Sequence, residues 1–433
     1  MLRANYAIST FRRLVMLCIL YFLSVHVLIA QRDTLSISLQ EAEKRFIDSN
    51  FLLLAAHYNV DAQKALIEQA KYWPNPVLNT DQVIAAGGRF LPYGKAADGS
   101  YSGQYYVQVQ QLIQTAKKRG RLIDMASTNA RIAELQLQEV IRNLRFQLRT
   151  DYYTLHQQLL ARKVLLLQLD QLNKLYAGMQ QQLKAGNIAQ KDLVRIQALV
   201  VATQQDITEA ERSIEDYQQD MKSLLRITEA KQFILPSLSN FQQEVLPESL
   251  VTCIDLAKTN NPFFLLQEAG VKYQAQNLAY QKALRVPDIV VGPNFDRNSN
   301  FSPNYVGLGI SLPLPVFNTN KGNIRNAEFS VKQQQAITDG ALTDLVTNIQ
   351  AAYEKLALSI KQNNSTQQSF YTQYANVYEK MFKSYQERQI GLLEFLDFFT
   401  DYQGAQQRLL QQKLNLQLSK ETLNYFIGKE LIK

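Results

Sequence analysis

Apolar positions along this chain change their period several times, and the order of those changes occurs twice. An apolar-periodic stretch opens at Ser38-Leu39-Gln40-Glu41-Ala42 and stops at Tyr72-Trp73-Pro74. A second opens at Glu248-Ser249-Leu250-Val251 and stops at Arg285-Val286-Pro287. Each stop precedes two short segments of alternating character and then a very long run with apolar residues at sevens. A repeat of roughly 200 residues is too long for a solenoid and points to internal duplication of one large unit, hence a pseudo-twofold fold.

Four segments carry strand periodicity, at about 76–84, 104–113, 288–296 and 304–313. In the second, Tyr105, Val107, Val109 and Ile113 share one face and Tyr106, Gln108 and Gln110 the other. In the fourth, Val306, Leu308, Ile310 and Leu312 oppose a mostly small face. Alternation over about 10 residues is what a transmembrane β-barrel strand requires, because lipid satisfies no open sheet edge. A soluble sheet packed on helices would alternate in the same way. Four strands cannot close a barrel, so a membrane reading needs several chains, and a trimer would supply about 12.

Between Leu122 and Ala185 there is no proline, and apolar residues recur at sevens: Ile141, Leu148 and Leu155, then Leu165, Leu172 and Met179. That period marks coiled-coil-like packing, and a helix of this length would extend on the order of 90 to 100 Å. The stretch from Asn323 to Arg388 repeats the pattern. Gly186 and Gly391 interrupt the runs, and helical periodicity resumes to Ile227 and Ile427. Two giant helical hairpins are expected, with tips near 186–192 and 391–397. The copies stand about 213 residues apart at Pro74 and Pro287 but about 202 apart at Gly120 and Gly322, so a Gly-rich loop in the first copy absorbs the surplus, as loops can at little entropic cost. From there to Asp192 and Glu394 the spacing is constant.

With 433 residues, 46% of them hydrophobic and 19% charged, the chain can bury ample apolar surface, and no linker-rich stretch separates independent domains. Residues 1–30 read as a secretory signal peptide, with Arg3, Arg12 and Arg13 before an apolar run that ends at Ala30. The expected organisation is therefore 1–30 signal peptide, 31–245 first repeat and 246–433 second repeat. The net charge of +8 is dispersed and reads as a solvated helical surface rather than a nucleic-acid patch. Processing would leave Cys253 as the sole cysteine, excluding an intramolecular disulfide. His57 and His156 sit in helical patterns, Cys253 has no partner, and no phosphate-binding motif follows Gly87-Gly88, so enzymatic chemistry, a metal centre and a cofactor find no support.

The stretch Val306-Gly307-Leu308-Gly309-Ile310-Ser311-Leu312-Pro313-Leu314-Pro315-Val316-Phe317-Asn318-Thr319-Asn320-Lys321-Gly322-Asn323-Ile324 resembles the final strand and periplasmic turn of the TolC-type outer-membrane efflux proteins. The resemblance covers essentially the whole mature chain and is closest to the cation-efflux branch that serves heavy-metal resistance pumps. It implies a mainly α fold with a transmembrane β-barrel: a homotrimer whose 12 strands sit in outer-membrane lipid above an α-helical periplasmic tunnel. A periplasmic adaptor and an inner-membrane RND-type pump would complete the conduit. Pro313 and Pro315 suit a strand end, since neither can donate to a ladder, and with Asn318, Gly322 and Gly120 they mark the barrel-to-helix turns.

The same resemblance implies a periplasmic gate. Glu394 and Asp397 follow Gly391 at the family's acidic spacing, and residues three apart share a helix face, so threefold symmetry would make rings of carboxylates. Asp192 and Arg195 hold the equivalent places in the first hairpin, with Arg388 just before the second tip. Arg195 departs from the family pattern, as does the short spacing from Gly391 to Glu394. The tips themselves, Gly186-Asn187-Ile188 and Gly391-Leu392-Leu393, are the expected adaptor contacts. Multidrug efflux and type I protein secretion are alternatives within the channel reading, and a periplasmic coiled-coil scaffold is the alternative outside it.

Overall fold

The computed structural model describes residues 34–86, 88–90, 94–95, 99, 101–229, 232–237, 246, 249–299, 302–365 and 368–432. The expected signal peptide, Gly87 and Glu248 lie outside these residues. In chain order the elements are β1 (Thr34–Ser38), α1 (Leu39–Ser49), α2 (Phe51–Lys71), β2 (Val77–Gln82), β3 (Ala85–Ala86), β4 (Arg89–Phe90), β5 (Gly94–Lys95), β6 (Tyr101–Ser102) and β7 (Tyr105–Ile113). There follow α3 (Lys118–Lys184), α4 (Gln190–Leu225), β8 (Phe233–Ser237), α5 (Leu250–Asn260), α6 (Pro262–Leu284), β9 (Ile289–Asn298) and β10 (Pro303–Ser311). The chain closes with α7 (Lys321–Ser365), α8 (Gln368–Gln386) and α9 (Leu392–Ile427). The protein is thus mainly helical. Among the described residues no helix is long and apolar enough to cross a membrane.

Two compact units divide the chain, and each draws on both halves of the sequence. One comprises Phe51–Asn143, Pro247–Glu354 and Leu423–Lys433; the other comprises Met1–Asn50, Leu144–Leu246 and Lys355–Thr422.

The first of these units holds the four alternating segments, which form one antiparallel sheet in the order β10-β9-β7-β2. Its register sorts most side chains by polarity. Thr80, Val107, Phe295 and Val306 form one cross-strand row, and Asn79, Gln108, Asn294 and Gly307 form the row on the opposite face. Because side chains in paired strands share a face, the alternation of four separate segments adds up to one apolar and one polar sheet surface. The apolar surface is the exposed one: Leu78, Leu308 and Ile310 are each at least 64% exposed and Val306 74%. Gln108 and Gln110 on the polar face are half-buried and hydrogen-bonded to each other at 2.7 Å. The Gly-rich loop of the first copy carries two small additional strand pairs, β3 with β4 and β5 with β6.

Below the sheet ends the chain is pinned by polar contacts. Lys118 is buried and donates from Nζ to Asp288 Oδ1 at 2.6 Å, and the Arg119 guanidinium lies 3.9 Å from the Trp73 ring centroid. The turns into α3 and α7 are not made by the glycines. Gly120 and Gly322 lie inside the first helical turns, and the left-handed residues are Ala116 and Lys117 in one case and Asn320 in the other. Asn320 suits this conformation, since its short side chain bonds locally, here with Oδ1 accepting from Asn323 Nδ2 at 2.7 Å. Pro313, Pro315 and Asn318 occupy the exposed segment between β10 and α7.

The second unit contains a feature the sequence pattern does not announce, a parallel pairing of β1 with β8 in register Thr34↔Phe233 to Ser38↔Ser237. Tyr152, fully buried on α3, donates from its hydroxyl to Ile37 O and Ser237 O, one carbonyl from each strand. Gln218 on α4 exchanges two bonds with the Ile234 backbone, at 2.6 and 2.9 Å. Ser38 then starts α1 with a capping box closed by Glu41.

Candidate functional site

The tip residues of both hairpins belong to the second unit and are built on one apolar cluster. Leu172, Leu175 and Met179 of α3, Ile196 and Val200 of α4, Tyr378 of α8 and Phe395 and Phe399 of α9 are all buried against one another. The heptad positions of the sequence therefore face inward here. Aromatic residues reinforce the second hairpin: Tyr378 stacks on Tyr402 at 4.3 Å between centroids and Tyr385 on Phe395 at 5.1 Å. Tyr378 also donates to Gln171 Oε1 at 2.7 Å, tying α8 to α3.

The two tips have the same backbone. In the first, Gly186 adopts φ +74°, with Gly186 N donating to Leu183 O and Asn187 N to Gln182 O. In the second, Arg388 adopts φ +61°, with Arg388 N donating to Tyr385 O and Gln389 N to Ser384 O. Arg388, not Gly391, is thus the counterpart of Gly186. This removes the apparent irregularity in spacing: Gly391 immediately precedes α9 as Ala189 immediately precedes α4, and Glu394 and Asp397 correspond in position to Asp192 and Arg195. A left-handed residue with a side chain is strained where glycine is not. Its guanidinium is held in place, since Arg388 Nη2 donates to Gln182 Oε1, which also accepts from Asn187 Nδ2 at 3.0 Å.

Between the tips lies a cleft of about 470 Å³, whose lining includes Met179, Gln182, Ile188, Asp192, Tyr385 and Leu392. Burial, and next the Asp192 carboxylate, raise the Tyr385 phenol above its ordinary pKa. Glu394, Asp397 and Leu393 are exposed on α9, and Arg195 is exposed on α4. Among the described residues Glu394, Asp397 and Arg195 form no side-chain hydrogen bond or ion pair within the chain. The structure therefore joins Arg388, Asn187, Ile188 and Asp192 in one cleft and leaves both acids of the second tip facing outward. Gln182 and Tyr385 are partners that motif reasoning passes over. The sequence signal for Tyr385 is its place in the aromatic series Tyr374, Tyr378 and Phe382, whereas Gln182 stands in an undistinguished glutamine run.

An exposed apolar sheet face thus lies in one unit and the tips of two helical hairpins in the other. The family model for outer membrane efflux proteins matches residues 44–225 and 253–429, and the chain belongs to that family. It is an outer-membrane channel protein of efflux, a transport duct and not an enzyme. Among relatives, the cobalt-zinc-cadmium resistance protein CzcC of Cupriavidus metallidurans is 22% identical over 362 residues, which span 78% of this chain and 80% of that protein. Two solved structures share the fold. A CusC structure gives a TM-score of 0.72 at 16% identity, covering 90% of this chain and 92% of the other. The CmeC channel of Campylobacter jejuni gives 0.75 at 12% identity, covering 90% and 86%.

Proposed function

We propose that this protein is the outer-membrane exit duct of a tripartite pump that expels divalent transition-metal cations. Three chains, each an internal duplication with repeats at 31–245 and 246–433, close their four-stranded sheets into a 12-stranded barrel above a helical tunnel. The observation that carries this reading is the inverted sheet, with Leu78, Val306, Leu308 and Ile310 exposed while Gln108 and Gln110 are half-buried. Such a surface is unstable in water and stable against lipid, with the polar face turned to a wet lumen. The metal cargo is supported by the relationship to a cobalt-zinc-cadmium resistance protein.

In this reading a periplasmic adaptor engages the hairpin tips at Gly186, Asn187, Ile188, Gly391, Leu392 and Leu393, and an RND-type pump in the inner membrane supplies the cargo. Asp192, Arg195, Arg388, Glu394 and Asp397 surround the periplasmic mouth, where carboxylate rings attract cations. Pro313, Pro315 and Asn318 shape the exit from the barrel into α7, and Gly120 and Gly322 follow within the first helical turns.

The test is deletion of the gene in its native host, followed by measurement of cellular cobalt, zinc and cadmium under metal challenge. Metal accumulation that the intact gene reverses is expected. Unchanged metal content together with raised drug sensitivity would overturn the metal reading and assign the duct to multidrug efflux.

A further inference from the structure

The turns at the helical end of the sheet are basic in both halves of the chain, and neither the barrel nor the gate accounts for them. Strand ends Val77, Ile113, Ile289 and Ser311 lie together at that end. Contacts then gather the segments beyond them. Arg119 lies over Trp73, Lys118 bonds Asp288, and Asn320 Nδ2 donates to Gln281 O at 2.8 Å. Lys117, Arg285, Lys321 and Arg325 are therefore brought to the same margin as Arg119, and these four are exposed. None of the four has a carboxylate partner among the described residues, and the acid at the margin, Asp288, is taken by Lys118.

Two further observations point to an anion. The first turns of α3 and α7 contain no acidic residue and begin Lys118-Arg119-Gly120-Arg121 and Lys321-Gly322-Asn323-Ile324. Cations there oppose the helix dipole, a cost that a bound anion removes. The margin also continues directly from the apolar surface, through Leu312, Leu314 and Val316 to Phe317, which is 100% exposed. An apolar band ending in cations and Trp73 matches acyl chain, then phosphate, in a single molecule.

We propose that this margin binds the headgroup phosphate of anionic glycerophospholipid in the periplasm-facing leaflet, with the acyl chains lying on the apolar sheet face. The site rests on the barrel-wall reading above. Arg119 is structural as well, through Trp73, so the informative variant is Lys117→Gln/Lys321→Gln/Arg325→Gln, which leaves every pinning contact in place.

Purified full-length protein incubated with an equimolar mixture of phosphatidylglycerol and phosphatidylcholine, then analysed by native mass spectrometry, reads the retained lipid. The parent should retain phosphatidylglycerol in at least about fivefold preference, the effect of a single well-placed cation, and more if the cations act together. The triple variant should approach parity, and Lys117→Gln alone should lose part of the preference. High salt should erase the preference of the parent. Equal retention of both lipids by the parent, or an undiminished preference in the triple variant, would overturn the site. Failure of the parent to enter vesicles of pure phosphatidylcholine would instead sink the barrel-wall reading beneath it.

Discussion

Arg149 donates from Nη1 to Glu421 Oε2 at 2.9 Å, with each side chain only 7% exposed, and its Nε donates to Glu43 as well. One guanidinium on α3 thereby ties α1 to α9. Burial alone would disfavour the charged guanidinium, but the bond to Glu43 and the charge of Glu421 outweigh it and raise its pKa. Arg149→Leu strands two carboxylates and should destabilise the protein by about 3 kcal/mol or more. Glu421→Gln keeps a hydrogen-bond acceptor and should cost about 1 to 2 kcal/mol. Thermal unfolding followed by circular dichroism checks the order: equal midpoints for the two variants would show that the bridge carries no special weight.

Asp151, on the same helix and 6% exposed, has its carboxyl pushed up to about 7 by burial and then by the Asp220 carboxylate. Its ordinary value is 3.8, so between about pH 4 and pH 7 the folded chain holds a proton that the unfolded chain has released. The contribution of this group to stability therefore falls as pH rises through that window, and the penalty is complete above it. Asp151→Asn should be more stable than the parent at pH 8, by an amount on the order of 2 to 4 kcal/mol, and nearly indistinguishable at pH 4. A stability difference that does not change with pH would contradict the assignment.

Arg388 offers a clean separation of contact from backbone. Arg388→Gly keeps the left-handed turn of φ +61° without strain and removes only the bond to Gln182. If that bond holds the tips together, resting conductance in planar bilayers should rise, although the loss per chain is only about 0.5 to 1.5 kcal/mol. Glu394→Ala/Asp397→Ala should act differently, lowering cation preference through the loss of exposed carboxylates while leaving tip packing intact. Reversal potentials equal to those of the parent would remove both acids from the conduction path.

Gly428, just past α9, has φ +78°, and a Cβ there would stand 2.6 Å from Asn260 O and 2.8 Å from Asn261 Cα. Both neighbours are backbone, and Asn261 is anchored by donating from Nδ2 to Phe426 O at 2.8 Å. Neither can yield cheaply. Gly428→Ala should destabilise by about 2 kcal/mol or more, read as a lowered unfolding midpoint, whereas Gly178→Ala in open space on α3 should be neutral or slightly stabilising.

Local period determined much of this protein before any contact was known. Alternation in Tyr105–Ile113 and Pro303–Ser311 specifies which side chains share a face, because successive strand residues point to opposite sides whatever the strand pairs with. Heptads through Leu165, Leu172 and Met179 likewise specify the buried edge of a helix. Tertiary structure decided what periodicity cannot encode. The pairing of Thr34–Ser38 with Phe233–Ser237 joins distant segments by a backbone ladder that one tyrosine hydroxyl bridges, and neither strand carries a pattern that names its partner. The second hairpin turn falls to Arg388 rather than to the nearby Gly391, against intrinsic preference, because the packed ends of α8 and α9 fix where the chain must reverse. Propensity ranks residues for a conformation, and only the surrounding packing selects the position that has to adopt it.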